Sequence, residues 1–433
     1  MSISKPEGSL LAKDAATAKA RRNLRKVRVL LELMGEQPTP NLISALECRP
    51  DEVVFLVSDR TEPHARDTQA ALEMVPELSG VRMVMAKVDP YSIAAAEGVV
   101  EAVLARYPDG EFIFNVTGGT KPMMIGMYRV ACAERWRGRV RMVYVSTETE
   151  TEQVIVDGEC RERSLDLQIP AAVYLRAHGV AVVARPASPP ASWVEVAVEL
   201  ARQVEADARE QRRGRTVSQM LVGIHKAAEG LNDRQLRERP ISIRRNSVRS
   251  AGLELLRRCQ AAGILGGLSL ARGEISFTLN GSKAFSFLDG RWLEAYVAAA
   301  ARRTEVFHDV LVRVPIARPQ WGYNELDVMA MRGVVAVVCS CKAARIPQGT
   351  ARNAPLDELE ARSRALGRYC GKVFVTSRTG YSDAFVAKAA GMGIHAVRPQ
   401  ALTTVGEVLV EASHSKGHAL NGVSAELGGL GGT

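Results

Sequence analysis

Short apolar runs alternate with amphipathic stretches along the first third of the chain. An apolar run indicates a buried strand, whereas apolar residues that recur every three or four positions indicate a helix packed on one face. On this pattern the strands are 27–33, 53–58, 81–88, 111–116, 139–147 and 153–156, and the helices are 42–46, 68–74, 93–107 and a stretch that opens at Lys121. Strands that alternate with helices predict a doubly wound, mostly parallel α/β sheet, which binds ligands beyond the carboxyl ends of its strands.

The segment 114–123, Phe-Asn-Val-Thr-Gly-Gly-Thr-Lys-Pro-Met, joins the fourth predicted strand to a helix. Paired glycines let backbone amides approach a ligand, and a helix start presents unpaired N–H groups with partial positive charge. The candidate donors are Thr117, Gly118, Gly119, Thr120 and Lys121. The segment has neither the Walker A spacing nor the dinucleotide fingerprint. It predicts an anion cradle, and the alternative is a βα turn that two glycines merely close.

Polar residues also follow two earlier strands of the same predicted sheet. The sequence Pro-Thr-Pro-Asn at 38–41 opens a helix, with Thr39 or Asn41 as the expected N-cap and Pro40 near the first turn. Ser58 ends the second strand. These positions fall at the edge of the sheet where ligands of doubly wound folds bind.

The segment 115–123 resembles the signature loop of CRISPR-associated Rossmann-fold (CARF) domains. In that family the loop binds a cyclic oligoadenylate in a groove shared by two subunits. The resemblance therefore implies a homodimer with cyclic tetra-adenylate or hexa-adenylate as its ligand. It also implies a ligand role for Thr39 and Asn41, which match the first conserved loop of the family.

The middle of the chain predicts a connector. The segment 185–192 has linker composition, and Ser192 and Glu195 have capping-box spacing for a helix that runs to about residue 212. A second helix at 247–262 and a hairpin at 264–279 suggest a winged-helix-like module.

This middle part also carries much of the positive charge of the chain. Residues 201–260 carry 14 lysine and arginine residues against 7 acidic ones, in a chain whose net charge is +9. Such a charge balance favours a polyanionic partner, although solvated helix faces are often rich in arginine too. The arginines of the predicted module, which either contact nucleic acid or coat a connector, are Arg244, Arg245, Arg249, Arg257 and Arg258.

Acidic residues and a lysine fall on neighbouring strands in the last third of the chain. The predicted order is helix 290–302, strands 306–314, 325–331 and 334–342, helix 356–366, strand 372–377, helix 383–390 and strand 394–397. Strand alternation places Glu325 and Asp327 on one face, and likewise Ser340 and Lys342. Paired carboxylates hold Mg²⁺ or Mn²⁺, and a lysine orients water or stabilises phosphoryl charge, so the pattern predicts metal-assisted phosphodiester hydrolysis.

The order helix, β-meander, helix, strand resembles the PD-(D/E)xK nuclease superfamily. The matching positions are the metal-binding Asp327, the catalytic Lys342, the helix residue Glu294 and the preceding acidic residue Glu325. Ser340 departs from the superfamily, which has Asp or Glu at that position. Either Glu325 or Glu360 on the next helix supplies the missing charge as a further metal ligand, or activity is lowered.

Taken together, the two resemblances imply a CARF nuclease of type III CRISPR antiviral defence. Such a protein is a metal-dependent nuclease for DNA or RNA that a cyclic oligoadenylate activates. The rival interpretation is a non-catalytic CARF sensor that regulates transcription through the connector. The expected parts are a flexible basic N-terminus (1–26), a CARF domain (27–165), a connector (166–287), a nuclease domain (288–400), and a C-terminal segment with a disordered tail (401–433). No apolar run is long enough to span a membrane, so we expect a cytoplasmic protein.

Overall fold

The computed structural model describes residues 26–184, 188–211, 216–318, 322–343, 353–378 and 382–414. The chain divides into two compact units, Met1–Leu165 and Asp166–Thr433. The predicted flexible N-terminus, up to residue 25, and the predicted disordered tail beyond residue 414 lie outside the described residues.

The first unit contains a seven-stranded sheet in the order β3-β2-β1-β4-β5-β6-β7. Its strands are β1 Arg28–Leu33, β2 Glu52–Val57, β3 Arg82–Lys87, β4 Glu111–Asn115, β5 Val140–Ser146, β6 Thr151–Val156 and β7 Glu159–Ser164. Its helices are α1 Thr39–Cys48, α2 Glu62–Leu72, α3 Ile93–Ala105 and α4 Lys121–Ala131. The first five strands pair in parallel, and β6 and β7 continue the sheet antiparallel. The predicted doubly wound sheet is confirmed.

Strand order reverses between β1 and β4, which are neighbours in the sheet. The chain winds outward from β1 through β2 to β3 and then returns to place β4 on the other side of β1. Ligands of doubly wound folds bind at such a switch point, beyond the carboxyl ends of the strands. The loops after β1 and after β4 therefore lie at the position where a ligand is expected.

Sequence patterns missed the edge of this sheet and misplaced two helix caps. Strand β7 is exposed at every residue and lacks the apolar alternation that reveals a half-buried strand. The N-cap of α1 is Pro38, without a side-chain cap, so the prediction of Thr39 or Asn41 as cap is wrong. The predicted capping box at Ser192 is also wrong, because that helix already begins one residue earlier.

The second unit contains a six-stranded sheet in the order β16-β15-β14-β13-β12-β8 and a three-stranded sheet in the order β10-β11-β9. The strands are β8 Ala181–Val182, β9 Ile241–Arg244, β10 Leu265–Leu270, β11 Glu274–Leu279, β12 Asp309–Arg318, β13 Gly322–Arg332, β14 Val335–Lys342, β15 Gly371–Thr376 and β16 Ile394–Val397. The helices are α5 Ala171–Ala177, α6 Ala191–Arg209, α7 Val217–Ala228, α8 Asp233–Glu238, α9 Ser250–Ala261, α10 Ser282–Ser286, α11 Trp292–Arg303, α12 Ala354–Ala365, α13 Asp383–Gly391 and α14 Val405–His414.

The larger sheet begins with the predicted meander. Strands β12, β13 and β14 pair antiparallel, and β15 and β16 add parallel strands. The apolar face of α11, which includes the fully buried Leu293 and Val297, belongs to the core that also contains residues of these strands. This core anchors the first turn of α11 beside the meander.

Two parts of the second unit differ from the sequence prediction. Strand β8 pairs with β12, so a short piece of the predicted connector extends the larger sheet. Helix α14 was not predicted, yet Val405, Leu409 and Ala412 are fully buried in the common core. The smaller sheet and helix α9 correspond to the predicted helix and hairpin, with β9 added alongside β11. Among the described residues no helix is both long and apolar enough to cross a membrane.

Candidate functional site

The signature loop connects β4 to α4 and touches the end of β1. A Cβ atom at Gly118 would lie 2.2 Å from the carbonyl oxygen of Leu33 and 3.0 Å from the nitrogen of Gly35. No side chain fits at that distance. Gly119 has a φ of +72°, in the left-handed region that favours glycine. Both glycines are therefore required by the path of the loop, and the loops after β1 and β4 are packed together.

The two threonines of the loop also hold its shape. The Thr117 hydroxyl accepts a hydrogen bond of 2.8 Å from the backbone N–H of Val145. Thr120 is the N-cap of α4: its hydroxyl accepts from the N–H of Met123 at 3.4 Å and donates to the carbonyl of Pro90. These bonds fix the start of α4, where free backbone amides face outward.

Lys121 is the first residue of α4 and its side chain is exposed. In the described part of the chain its ammonium has no hydrogen bond and no ion pair. The predicted Ser58 lies after β2, where its hydroxyl is 3.2 Å from that of Thr61. Among the described residues, Lys121 is thus an exposed cation without an ionic partner at the start of α4.

A buried carboxylate lies beneath the two loops. Glu32, in β1, has no exposed surface, and its Oε2 accepts from the Nδ2 groups of Asn41 at 2.5 Å and Asn115 at 2.8 Å. Asn115 also donates to the carbonyl of Pro40 at 3.2 Å. Burial raises the pKa of Glu32 to about 8, and the two amide hydrogen bonds oppose that rise. A single carboxyl group therefore ties the start of α1 to the end of β4.

Two residues that were predicted to contact the ligand are buried near this carboxyl group. Asn41 is 1% exposed and Thr39 is 7% exposed, so both lie below the surface of the edge. Asn41 is engaged with Glu32 instead of facing outward. Glu32 was not predicted from the sequence, and its signal was a lone carboxyl in the apolar run Arg-Val-Leu-Leu-Glu-Leu of β1.

In the second unit, Asp327 on β13 faces the end of β14. Its Oδ2 accepts from the backbone N–H of Cys341 at 2.7 Å and from the Ser340 hydroxyl at 3.4 Å. Burial raises the pKa of Asp327, against the opposing effects of the Cys341 N–H and the Lys342 charge. Ser340, at the position where the superfamily has a carboxylate, thus donates to the carboxylate beside it.

Glu294, in the first turn of α11, shares this environment. Its Oε2 is buried without a hydrogen bond, and it lies 3.7 Å from the Nε of Arg313. Burial, and then repulsion by Asp327, raises the pKa of Glu294 to about 8. The structure thus brings Glu294 and Asp327 within electrostatic reach of each other.

The other two predicted acidic residues have cationic partners. Both oxygens of Glu325 lie 3.4 Å from the Arg313 guanidinium. Glu360 on α12 pairs with Lys372 at 2.5 Å and with Arg364 at 3.3 Å. Glu360 is therefore held by two cations, and the hypothesis that it replaces the missing ligand finds no support in its contacts.

Lys342 is the last residue of β14, and its side chain is partly exposed. Within the described ranges its ammonium makes no hydrogen bond or ion pair, although its charge acts on Asp327. The flanking Cys339 and Cys341 belong to the core, with their sulfur atoms 3.8 Å apart. Alternation along β14 therefore separates Lys342 and Ser340 from two core thiols.

Two carboxylates fit a hard divalent cation here. Mg²⁺ is commonly bound through one or two carboxylates together with water and substrate phosphate. Glu294 and Asp327 are partly buried and repel each other, and the Oε2 atom of Glu294 is buried without a hydrogen bond. No cluster of three or more His, Cys, Asp or Glu side chains suited to a metal occurs among the described residues. The donor set thus suits Mg²⁺ or Mn²⁺ and is too small for a closed, all-protein site.

Two family models match the chain. The Card1 CARF domain matches residues 29–169, and the Card1-like endonuclease domain matches residues 282–416. Together the two matches cover well over half of the chain. No curated protein matches the chain by sequence.

Solved structures share the fold over nearly the whole chain. Can2 from Sulfobacillus thermosulfidooxidans, in complex with cyclic tetra-adenylate, has a TM-score of 0.66 and 19% identity, and the match covers 90% of this chain and 99% of that one. Protein VC1899 from Vibrio cholerae has a TM-score of 0.71 and 16% identity, with the same coverage of 90% and 99%. At these identities the similarity is one of fold. With both family models matched in order along one polypeptide, the chain belongs to the CARF-domain CRISPR ancillary nucleases, which join a Card1-type CARF domain to a Card1-like endonuclease domain.

Proposed function

We propose that the chain is a metal-dependent nuclease of type III CRISPR defence that a cyclic oligoadenylate activates. The observation that carries the proposal is the pair Glu294 and Asp327, two partly buried carboxylates with raised pKa values beside Lys342 in a domain of the endonuclease family. Carboxylates that cannot ionise easily without a nearby cation are typical of functional sites.

The cradle of the first unit is the proposed sensor. Lys121 and the amides at the start of α4 suit the phosphates of a cyclic nucleotide ring. The structure of Can2 contains cyclic tetra-adenylate, which makes that ring the first candidate for this chain. Thr117 and Thr120 shape the cradle through their internal bonds.

We further propose that the sensor works as a homodimer. A two-fold dimer presents the same cradle twice to a symmetric ring. Ile125 and Tyr128 lie one and two turns beyond Lys121 on α4 and are 39% and 50% exposed, which gives a second copy an apolar face to cover next to the cradle.

In the nuclease unit, the acidic residues and the lysine have different proposed roles. Asp327 and Glu294 would hold Mg²⁺ or Mn²⁺, with Glu325 as an outer carboxylate. A bound divalent cation supplies a Lewis acid for the phosphodiester and a more acidic water ligand. Lys342 places its ammonium at the open end of β14, where it can neutralise charge on the scissile phosphate of DNA or RNA.

The rival function is a CARF sensor without nuclease activity. The observation in its favour is Ser340, a neutral residue at the position of a superfamily carboxylate. A hydroxyl contributes far less than a carboxylate to binding a hard divalent cation. The retained carboxyl pair and lysine favour the nuclease.

Two substitutions test the proposed function. We expect Lys342→Ala and Asp327→Asn to abolish cleavage of supercoiled plasmid, single-stranded DNA and RNA in Mn²⁺, while binding of cyclic tetra-adenylate stays intact. Calorimetry of the ring and gel assays of cleavage measure the two effects on the same preparations. Full cleavage by either variant would show that the active site lies elsewhere. A wild-type protein that cleaves none of the substrates would favour the rival function, a CARF sensor without nuclease activity.

A further inference from the structure

Arg313 has an unusual backbone conformation for its place in the fold. It lies within strand β12 with a φ of +53°, and among the described residues it is the sole non-glycine residue inside a strand with a positive φ. A side chain in this region is strained, and such residues persist where the surroundings hold them, often at functional sites. Its neighbours Val312 and Val314 pair with Val328 and Leu326, and Arg313 itself is left out of the β12–β13 pairing.

The guanidinium of Arg313 lies between two carboxylates of the nuclease site. Its Nε is 3.7 Å from Glu294 Oε2, and its Nε and Nη2 atoms are each 3.4 Å from an oxygen of Glu325. The side chain is 23% exposed, so solvent screens these pairs only in part. These distances are long for ion pairs, so another cation can replace Arg313 beside either glutamate.

These carboxylates need a countercharge. Glu294 and Glu325 both lie against the Arg313 guanidinium, and the Asp327 carboxylate adds a third negative group within electrostatic reach. A divalent cation held by Glu294 and Asp327 would act on the same carboxylate that Arg313 reaches. Two cations close to one carboxylate compete for it, because each weakens the attraction of the other.

We propose that Arg313 is an internal cation of the nuclease site, which partners Glu294 and Glu325 when metal is absent and competes with the divalent ion for Glu294. Arg313 is thus a positioning residue that sets how tightly the resting site binds metal. This inference rests on the proposed metal-dependent nuclease.

Metal binding without nucleic acid tests the inference directly. We expect Arg313→Gln to bind Mn²⁺ about tenfold more tightly than wild type by calorimetry on the full chain, because the competing charge is gone. Without metal the same variant should melt at a lower temperature, since the carboxylates lose their countercharge, and Mn²⁺ should restore more stability to it than to wild type.

Two further variants serve as controls. Arg364→Gln removes an exposed arginine that pairs with Glu360, and its Mn²⁺ affinity should equal that of wild type. Arg313→Lys keeps a positive charge at the site, so its affinity should stay close to wild type even if Arg313→Gln folds poorly. A lysine variant that binds Mn²⁺ as tightly as expected for the neutral variant would contradict competition by charge.

The outcomes separate this inference from the proposed function. Unchanged or weaker Mn²⁺ affinity in Arg313→Gln overturns the inference. If wild type binds Mn²⁺ and Asp327→Asn does not, the proposed nuclease function still stands. If wild type and Arg313→Gln both fail to bind Mn²⁺, the metal-dependent nuclease and the internal cation are both refuted.

Discussion

Replacement of Glu32 by glutamine should make the protein more stable at alkaline pH. Glu32 is fully buried, and its Oε2 accepts hydrogen bonds from Asn41 and Asn115. Glutamine has nearly the same size and offers a carbonyl oxygen to the same two donors, but it carries no charge. The substitution therefore removes the titration of this site and preserves its hydrogen bonds.

The size of the effect follows from the pKa of Glu32. Burial raises that pKa from 4.5 to about 8, so the folded protein holds a proton that the unfolded chain releases between these values. The contribution of Glu32 to stability is complete below pH 4.5 and is lost as the pH rises through about 8. Across this interval wild type loses up to ~5 kcal/mol relative to a neutral side chain.

Thermal unfolding of the full chain between pH 6 and pH 9 measures this loss. We expect the melting temperature of Glu32→Gln to exceed that of wild type by a margin that grows with pH, reaching on the order of 10 °C at the alkaline end. Glu32→Ala is the control, since it removes one acceptor from each of the two amides, leaves a cavity and should destabilise at every pH. Parallel curves for wild type and Glu32→Gln would refute the reasoning.

Substitutions at three further positions test the two sites. Lys121→Ala should weaken binding of cyclic tetra-adenylate by roughly 10- to 100-fold, as expected for one charge-assisted phosphate contact, and unchanged affinity by calorimetry would remove Lys121 from the cradle. Gly118→Ala should weaken ring binding and lower the melting temperature, because its Cβ would lie 2.2 Å from the Leu33 carbonyl oxygen; a stable variant with native affinity would show that the loop can move aside. Ser340→Glu should raise Mn²⁺-dependent cleavage by restoring a carboxylate, whereas Ser340→Ala should change it little; a dead Ser340→Ala variant would make the hydroxyl essential.

Apolar periodicity predicted the strands of both units well because it depends on local sequence. Runs such as 53–58 and 334–342 are nearly all apolar, and the corresponding β2 and β14 are buried along almost their whole length. Exposed or short elements gave no such signal. Strand β7 is exposed throughout, and β8 has two residues.

The site residues that sequence reasoning missed depend on contacts between distant segments. Glu32 is a lone carboxyl in an apolar strand, and its role comes from Asn115, which lies 83 residues away. Arg313 alternates with valines as any half-buried strand residue does, and neither its backbone conformation nor its two glutamate partners follow from spacing. Glu360 was predicted near the metal because it lies on the adjacent helix, but Lys372 and Arg364 hold it.

The central claim is that a cyclic oligoadenylate switches on a nuclease within this chain. The most direct measurement is the rate at which wild-type protein in Mn²⁺ cleaves plasmid, single-stranded DNA and RNA with no nucleotide, with linear tetra-adenylate and with cyclic tetra-adenylate. We expect a rate that rises strongly with the ring alone and saturates at one ring for each pair of chains. Equal rates under all three conditions would contradict activation by the ring.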